Sequence, residues 1–445
     1  MLPKACAITM RNPRAQLFRE EHKVGLSGPE SSSTESFGEE AVSYPDTDIF
    51  SLAANGNPQP TKAQGHGEND RVNARDFGVN LAAFASQTFG VAESAKQLAY
   101  ALRAVEIPFV VNEIVSSHSM RDKTLKAYMS DDNPYPVNII HANPPETQSF
   151  FTSKPSSYFE DRVNVGIWYW ELQSFPSKWI PCFKLFDEVW VTSRFIEKTL
   201  AEVSTVPIVK LPFPLTMDTP ISQFPREKFG LRENTCAFVF AFDYRSEFER
   251  KNPLAVVRAF RRAFDSRDDA VLIINTINSH VDPENSRRLR EAAHEARVFI
   301  FDGHLTRQDY IALLRAGDCY VSLHRSEGLG MTMAQSMYLG KPVIATGYSG
   351  NLDFMNKDNS LLVRFNIVEL ESSYGPYEKG NVWADPDLNE ACELMRWVYE
   401  HPSESRQLGE RASRDVRELM DPKVVGSEIR SRLRMLIEKR NAQTS

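Results

Sequence analysis

The stretch that decides the fold is HRSEGLGMTMAQSMYLGKPVIATGYSGNLDFM, residues 324–355. It follows the short run CYVSL, which has the length of a buried strand. A loop containing Gly328 and Gly330 then leads into a helix that Gly340 ends, and KPVIAT is predicted to be the next strand. Because a glycine loop at a helix start exposes backbone amides and the positive end of the helix dipole, the segment predicts a diphosphate site.

Strands and helices alternate on the N-terminal side of this segment. The apolar runs CAFVFAF, AVLIINT and RVFIF are separated by helical stretches. An earlier series begins at Phe77 with FGVNLAAFA, PFVVNEI, VNIIHA, NVGIWYW and EVWVTS. Strands of about 4 to 8 residues that alternate with helices favour parallel sheets with right-handed crossovers. The predicted fold class is therefore α/β, with two doubly wound Rossmann-like domains that face a cleft.

The chain is predicted to divide into four segments, because its 445 residues are too many for one core. Residues 1–75 are rich in Ser, Gly, Pro and acidic residues and are predicted to form an irregular arm. Two Rossmann-like domains follow, at residues 76–215 and 216–420. Four prolines within residues 211–230 suit a hinge between them. Residues 421–445 are predicted to form a helix that packs back toward the N-terminal domain.

Composition and charge argue against several classes of protein. The net charge of -7 argues against a nucleic-acid binder, whose affinity rests on a basic surface. The five cysteines include no C-x-x-C pair, which argues against a zinc site or a disulfide framework. No apolar run approaches the roughly 20 residues that cross a bilayer. We therefore expect a cytoplasmic protein, and peripheral contact with the inner membrane face stays open.

Two segments resemble a known enzyme family. Residues 324–355 resemble the E-x7-E segment and the Pro-Val-Ile strand that follows it in the retaining glycosyltransferases of family 4. Glu327 stands at the first Glu position of that segment, and Gln335 stands in place of the second Glu. Residues 166–195, GIWYWELQSFPSKWIPCFKLFDEVWVTSRF, resemble a bacterial surface-polysaccharide branch of that family. The resemblance extends over residues 77–440 and implies a type B glycosyltransferase fold, with an acceptor-side N-terminal domain and a donor-binding C-terminal domain.

The resemblance also implies a reaction. A hexosyltransferase-like enzyme of this type would move a sugar, with retained anomeric configuration, from a nucleotide diphosphate sugar to an acceptor hydroxyl on a glycan, a lipid-linked saccharide or another molecule. No metal or other cofactor is implied, since Lys251 and the glycine-loop helix can replace a cation. Two alternatives stay open: a nucleotide-sugar epimerase or hydrolase on the same fold, and a non-catalytic nucleotide-sugar-binding protein.

The donor-site residues follow from the same resemblance. Glu327 would contact the donor sugar and Gln335 the ribose hydroxyls. The loop residues assigned to the phosphates and the sugar are Gly328, Leu329, Gly330 and Met331. The nucleobase side is assigned to His304 and Leu305, although His304 fits an ordinary loop histidine equally well.

The charges for the diphosphate are predicted in FDYRSEFERKNPLAVVRAF, residues 242–260. Lys251 matches the lysine of the family. The usual position of its partner arginine holds Ser246, so Arg245 and Arg250 are alternatives, of which we prefer Arg245; Arg250 also fits a surface cluster. Asn252 is predicted to cap the helix that follows.

The N-terminal domain contributes residues at predicted strand ends. Gly90 begins a helix and is predicted to approach the donor phosphate and sugar, with a simple turn glycine as the alternative. The family often carries His-x-His at this place, so the resemblance implies that His141 is a catalytic residue close to the donor sugar; a structural role is the alternative. Three further residues, Asn143, Trp170 and Glu171, are predicted to bind the acceptor, although an aromatic cluster such as that of Trp170 is more often part of a core.

Overall fold

The computed structural model describes residues 77–114, 122–217, 226–294 and 296–444. The predicted N-terminal arm, residues 1–75, lies outside the described residues. Two parallel sheets of six strands each form the body of the molecule, and a two-stranded antiparallel sheet adds to the second.

The first sheet belongs to the N-terminal domain. Its strands are β1 (Val79–Ala83), β2 (Phe109–Glu113), β3 (Val137–His141), β4 (Val163–Ile167), β5 (Glu188–Val191) and β6 (Ile208–Lys210), and its helices are α1 (Gly90–Ala104), α2 (Pro144–Ser153) and α3 (Arg194–Ala201). They pair in parallel in the order β2-β1-β3-β4-β5-β6. All residues of β1 and β3 are buried, because helices cover both faces of a parallel sheet.

The second sheet belongs to the C-terminal domain and repeats this plan. Its elements are β7 (Cys236–Asp243), α4 (Phe248–Lys251), α5 (Pro253–Ala263), β8 (Ala270–Ile277), α6 (Pro283–Ala293), β9 (Val298–Asp302), α7 (Arg307–Ala316), β10 (Cys319–Ser322), α8 (Met331–Tyr338), β11 (Val343–Thr346) and β12 (Leu361–Val363). The strand order is β12-β11-β10-β7-β8-β9. The chain reverses direction across the sheet between β7 and β10, where a crevice forms at the carboxyl ends of the strands.

An antiparallel hairpin, which the sequence patterns did not predict, follows the second sheet. It consists of β13 (Phe365–Glu369) and β14 (Val382–Pro386), paired in register from Phe365 opposite Pro386 to Glu369 opposite Val382. Three helices complete the chain: α9 (Leu388–Glu400), α10 (Pro402–Leu419) and α11 (Pro422–Thr444).

Helix α11 crosses back to the N-terminal domain. Its apolar residues Val425, Ile429, Leu433 and Leu436 join the core of the first sheet. Arg432 forms an ion pair with Glu188 of β5, whose side chain is buried. At the crossing, the backbone amide of Leu215 donates to the carbonyl of Met420 at 2.9 Å, so the two connections between the domains run side by side. No helix in the described ranges is long and apolar enough to cross a membrane.

Candidate active site

A cavity of about 690 Å³ lies between the carboxyl ends of the two sheets. Every site residue predicted from the sequence lines it except His141. The predicted residues in its wall are Gly90, Asn143, Trp170, Glu171, Arg245, Lys251, His304, Leu305, Glu327, Gly328, Leu329, Gly330, Met331 and Gln335.

At the centre of the cavity wall, the Glu327 carboxylate lies between two positive charges. Lys251 Nζ is 2.5 Å from Glu327 Oε1, and Arg250 Nη1 is 3.2 Å from Glu327 Oε2. Glu327 is only 8% exposed and Arg250 only 4%. A buried carboxylate needs such partners, since an unpaired charge away from water is costly. The trio of Lys251, Arg250 and Glu327 thus has one net positive charge and lies in the cavity wall.

The pKa values of this trio are set by burial and by the mutual charges. Burial by itself raises the pKa of the Glu327 carboxyl, but the charges of Lys251 and Arg250 outweigh it and lower that pKa to about 2. Burial lowers the pKa of Lys251, and the charge of Glu327 opposes the shift. Burial also acts to lower the pKa of Arg250, but nearby Tyr377 and Glu327 raise it overall. Glu327 is therefore an anion throughout the physiological pH range.

The structure corrects the interpretation of Arg250 as a surface residue. Its guanidinium is buried, donates to the carbonyl of Ser326 at 2.8 Å and pairs with Glu327. Arg245, the preferred candidate, also lines the cavity, but its side chain is exposed. The cavity thus has both arginines, with Arg250 fixed beside the carboxylate and Arg245 nearer the solvent.

The predicted capping role of Asn252 is wrong. Asn252 is in the left-handed conformation, with φ 54°, and its side chain makes no capping hydrogen bond. Instead, Nδ2 donates to the carbonyl of Leu323 at 2.9 Å. Asn252 therefore ties the start of α5 to the end of β10, which holds Lys251 against the loop that carries Glu327.

The glycine loop opens α8 as predicted. Gly330 has a φ of 88°, and a Cβ there would lie 2.3 Å from the Met333 side chain, so the position favours glycine. Within the part of the chain that the structure describes, the amides of residues 329–332 have no hydrogen-bond acceptor. Together with the dipole of α8, these amides form a site suited to an anion.

The loop before α8 is fixed from both domains. Ser193 Oγ of the N-terminal domain donates to the carbonyl of Gly328 at 2.7 Å, and the amide of Glu327 donates to Ser349 Oγ at 2.8 Å. A Cβ on Gly350 would lie 1.9 Å from the same carbonyl of Gly328. The loop is therefore preorganised, and little ordering is needed when a ligand binds.

Gln335, the residue in the position of the second family Glu, is buried in the cavity wall. Tyr310, which the sequence analysis missed, donates its hydroxyl to Gln335 Oε1 at 3.2 Å. This bond engages the Gln335 amide oxygen and leaves the amide nitrogen as a donor. His304 lies exposed and Leu305 half-buried on the same side of the cavity.

The N-terminal wall holds Gly90 at the start of α1 and Asn143 before α2. Gly90 faces the Met331 side chain across the cleft, and Asn143 Oδ1 accepts from the amide of Tyr169 at 2.8 Å. Arg307 of α7, also missed, forms an ion pair with Glu93 of α1 at 2.5 Å. This bridge joins the two domains at the edge of the cavity.

His141 lies behind this wall. Its Nε2 is 3.0 Å from the hydroxyl of Ser94, which itself contacts the hydroxyl of Tyr169. The imidazole is 1% exposed, burial lowers its pKa to about 4, and Nδ1 has no hydrogen-bond partner among the described residues. His141 is thus neutral, and Ser94 separates it from the cavity. Its catalytic role stays a prediction.

The predicted acceptor residues differ in their surroundings. Trp170 is 3% exposed, its Nε1 donates to the carbonyl of Ser174, and its ring packs edge-on against Trp179. Glu171 is half-buried and accepts a hydrogen bond from the hydroxyl of Tyr377 at 2.9 Å. Most of the Trp170 ring is therefore core, whereas Glu171 is held at the cavity surface by a residue of the other domain.

Two parallel-sheet Rossmann-like domains that face a cleft, with a glycine loop and a helix start at its centre, define the type B glycosyltransferase fold. Residues 225–415 match the family model described as glycosyl transferases group 1. The matched region comprises the C-terminal domain, including Lys251, the glycine loop and Gln335.

One relative aligns with part of the chain. Trehalose synthase of Pyrococcus horikoshii is 24% identical over 168 residues, which cover 36% of this chain and 35% of the relative. The chain thus aligns with about a third of that relative's length.

Solved structures superpose over most of the chain. HepE of Anabaena, in complex with UDP and glucose, has a TM-score of 0.60 at 12% identity and covers 81% of this chain and 100% of its own. A glycosyltransferase from Rickettsia africae has a TM-score of 0.62 at 13% identity, covering 81% and 99%. Sucrose-phosphate synthase from Thermosynechococcus elongatus has 0.60 at 15%, covering 82% and 100%. At such identities these likenesses establish the fold.

Proposed function

We propose that the chain is a glycosyltransferase that moves a sugar from a nucleoside diphosphate sugar to an acceptor hydroxyl. The observation that carries the proposal is the arrangement of Lys251, Arg250 and Glu327 beside the free amides of residues 329–332. A diphosphate leaving group develops negative charge, and fixed positive charges and amides stabilise it in a site with little water.

Glu327 has a separate role in the proposal. Its carboxylate stays ionised and accepts hydrogen bonds, so it can bind sugar hydroxyls close to the bond that breaks. Gln335 would donate to a ribose hydroxyl through its amide nitrogen, with Tyr310 holding the other end of the amide. The complexes of HepE with UDP and glucose and with UDP-glucose make a uridine donor the first one to test.

We further propose that the reaction retains the anomeric configuration and requires no metal. Retention rests on the resemblance to family 4, in which the leaving phosphate would take the acceptor proton on the same face of the sugar. Lys251 and the loop amides would supply the charge that a bound cation supplies elsewhere. Among the described residues, no group of three or more His, Cys, Asp and Glu side chains is placed to hold a metal ion.

The test begins with a panel of UDP-, GDP- and ADP-sugars measured by calorimetry. We expect one nucleotide to bind and its sugar to be transferred to an added acceptor, with the product anomer read by NMR. Turnover of the donor without any acceptor would instead indicate an epimerase or hydrolase. Binding without turnover against every acceptor would indicate a binding protein.

A further inference from the structure

The hairpin of β13 and β14 belongs to the C-terminal domain but packs on the N-terminal one. Leu370, Tyr377 and Trp383 are buried in the same apolar cluster as Trp168 and Trp170. Residues between the two strands therefore lie over the acceptor side of the cleft. The inference below rests on the proposed function and concerns the molecule that would accept the sugar.

Tyr377, at the tip of the hairpin, contacts residues of both domains. It is 4% exposed, and its hydroxyl donates to Glu171 Oε2 at 2.9 Å. Its ring centroid lies 5.4 Å from that of Trp170 and 5.9 Å from the guanidinium carbon of Arg250. Burial raises the pKa of Tyr377 well above its ordinary value, so the hydroxyl stays protonated and acts as the donor to Glu171.

The cavity wall around Tyr377 combines aromatic and acidic groups. Phe89, Trp179 and Pro376 are half-buried there and present apolar faces. Glu171 and Glu247 supply carboxylates to the same wall. A saccharide fits this combination, since its C–H faces pack on rings and its hydroxyls donate to carboxylates.

Glu247 is held in an unusual backbone conformation, with φ 63° and ψ 109°. A Cβ on Gly375 of the hairpin would lie 2.2 Å from Glu247 Oε1, so the hairpin passes directly over this carboxylate. Such backbone strain persists only where the surrounding structure enforces it, and it places Glu247 at the wall beneath the hairpin tip.

We propose that the β13–β14 hairpin completes a saccharide acceptor subsite shared by the two domains. In this subsite Tyr377 is a positioning residue that fixes the Glu171 carboxylate, leaving Oε1 to accept a hydrogen bond from an acceptor hydroxyl. Because Arg250 touches both the Tyr377 ring and the Glu327 carboxylate, the acceptor subsite is in direct contact with the donor site.

The test compares Tyr377→Phe with Tyr374→Phe. The first variant removes the hydroxyl that holds Glu171 and keeps the ring. The second removes a hydroxyl from the same hairpin at a residue that packs on Trp383 and does not line the cavity. UDP release from UDP-glucose is measured with glucose, maltose, cellobiose or N-acetylglucosamine as acceptor, and UDP-glucose affinity is measured by calorimetry.

We expect Tyr377→Phe to raise the saccharide KM by about tenfold or more, the scale of a hydrogen bond to a charged group. UDP-glucose affinity should stay unchanged, and Tyr374→Phe should match the wild type in both. An unchanged saccharide KM, or an equal loss of UDP-glucose affinity, would overturn the role of Tyr377. If UDP-glucose binds but none of the four saccharides raises UDP release, the subsite does not take a saccharide.

A second readout keeps this inference separate from the proposed function. Saturation-transfer NMR with maltose in the presence of UDP reports saccharide binding without any turnover. We expect a maltose signal in the wild type and in Tyr374→Phe and a weaker one in Tyr377→Phe. If no nucleotide sugar binds, the proposed function fails, and the maltose signal alone decides whether the hairpin covers a saccharide site. Absence of a maltose signal in the wild type would overturn the inference.

Discussion

Replacing Lys251 by methionine removes one charge from the trio at the centre of the cavity and keeps most of the side-chain volume. Arg250 remains 3.2 Å from Glu327, so the carboxylate keeps a partner and the global fold should persist. The net positive charge of the trio, however, falls from one to zero. At an effective dielectric constant of about 20, a unit charge about 4 Å from the developing phosphate charge contributes about 4 kcal/mol.

We therefore expect Lys251→Met to lower turnover by about 10²- to 10³-fold, the scale seen when one preorganised electrostatic group is removed. The assay is the steady-state rate of nucleotide release from the donor that the panel selects, with circular dichroism to confirm folding. Arg262→Met is the matched control, because Arg262 is exposed on α5 of the same domain. Turnover within about threefold of the wild type in a folded Lys251→Met variant would refute the assignment of Lys251 to the diphosphate.

Three further predictions concern the same site. Gln335→Glu should keep or tighten donor binding in calorimetry, because a carboxylate still accepts from Tyr310 and bonds a ribose diol more strongly than an amide; a collapse of binding would contradict the ribose assignment. Glu327→Gln should lower turnover more than UDP affinity, and equal losses would mean that Glu327 only organises the loop. The wild-type Glu327 carboxyl has a pKa lowered to about 2, so it stabilises the fold above its ordinary pKa and loses that contribution as the pH falls. In Glu327→Gln, the unfolding free energy from urea titrations should therefore depend less on pH between about pH 4.5 and about pH 2. Turnover should be unchanged in EDTA, because Lys251 and the loop amides are proposed to replace a cation; a loss that Mg²⁺ or Mn²⁺ restores would show a metal requirement.

The sequence predicted the position of most cavity residues because they follow strands. In parallel sheets the carboxyl ends of the strands meet at one edge, so residues after β1, β3, β7 and β10 converge. Gly90, Lys251 and the 327–331 loop follow strands in this way, and their roles in the site were assigned by the family resemblance. His141 was expected at the same edge, but it is the last residue of β3 and stays within the buried sheet.

Arg250 could not be assigned from the sequence, because helical periodicity is undefined over the four residues of α4. Two non-glycine residues with positive φ, Glu247 and Asn252, flank this helix and turn Arg250 inward. Asparagine tolerates the left-handed region better than most residues, but residue type alone does not predict it, and long-range bonds such as that from Asn252 to Leu323 support the conformation here.

The β13–β14 hairpin was missed for a related reason. Its apolar residues alternate with polar ones without marking a buried face, and Ile367 is 47% exposed. The contacts that give the hairpin its place, those of Tyr377 with Glu171 and of Leu370 with the N-terminal cluster, join residues far apart in the chain. Local patterns carry no information about such pairings.

The return of α11 to the first domain makes the N-terminal domain discontinuous in sequence. The core of the N-terminal domain is complete only when Leu433 and Leu436 have been synthesised, and these residues follow the whole C-terminal domain. The first domain therefore cannot finish folding before the second has left the ribosome. The hydrogen bond from Leu215 to Met420 also joins the two connections between the domains. A single connection would leave the domains free to twist against each other, whereas two connections that are bonded together resist such twisting.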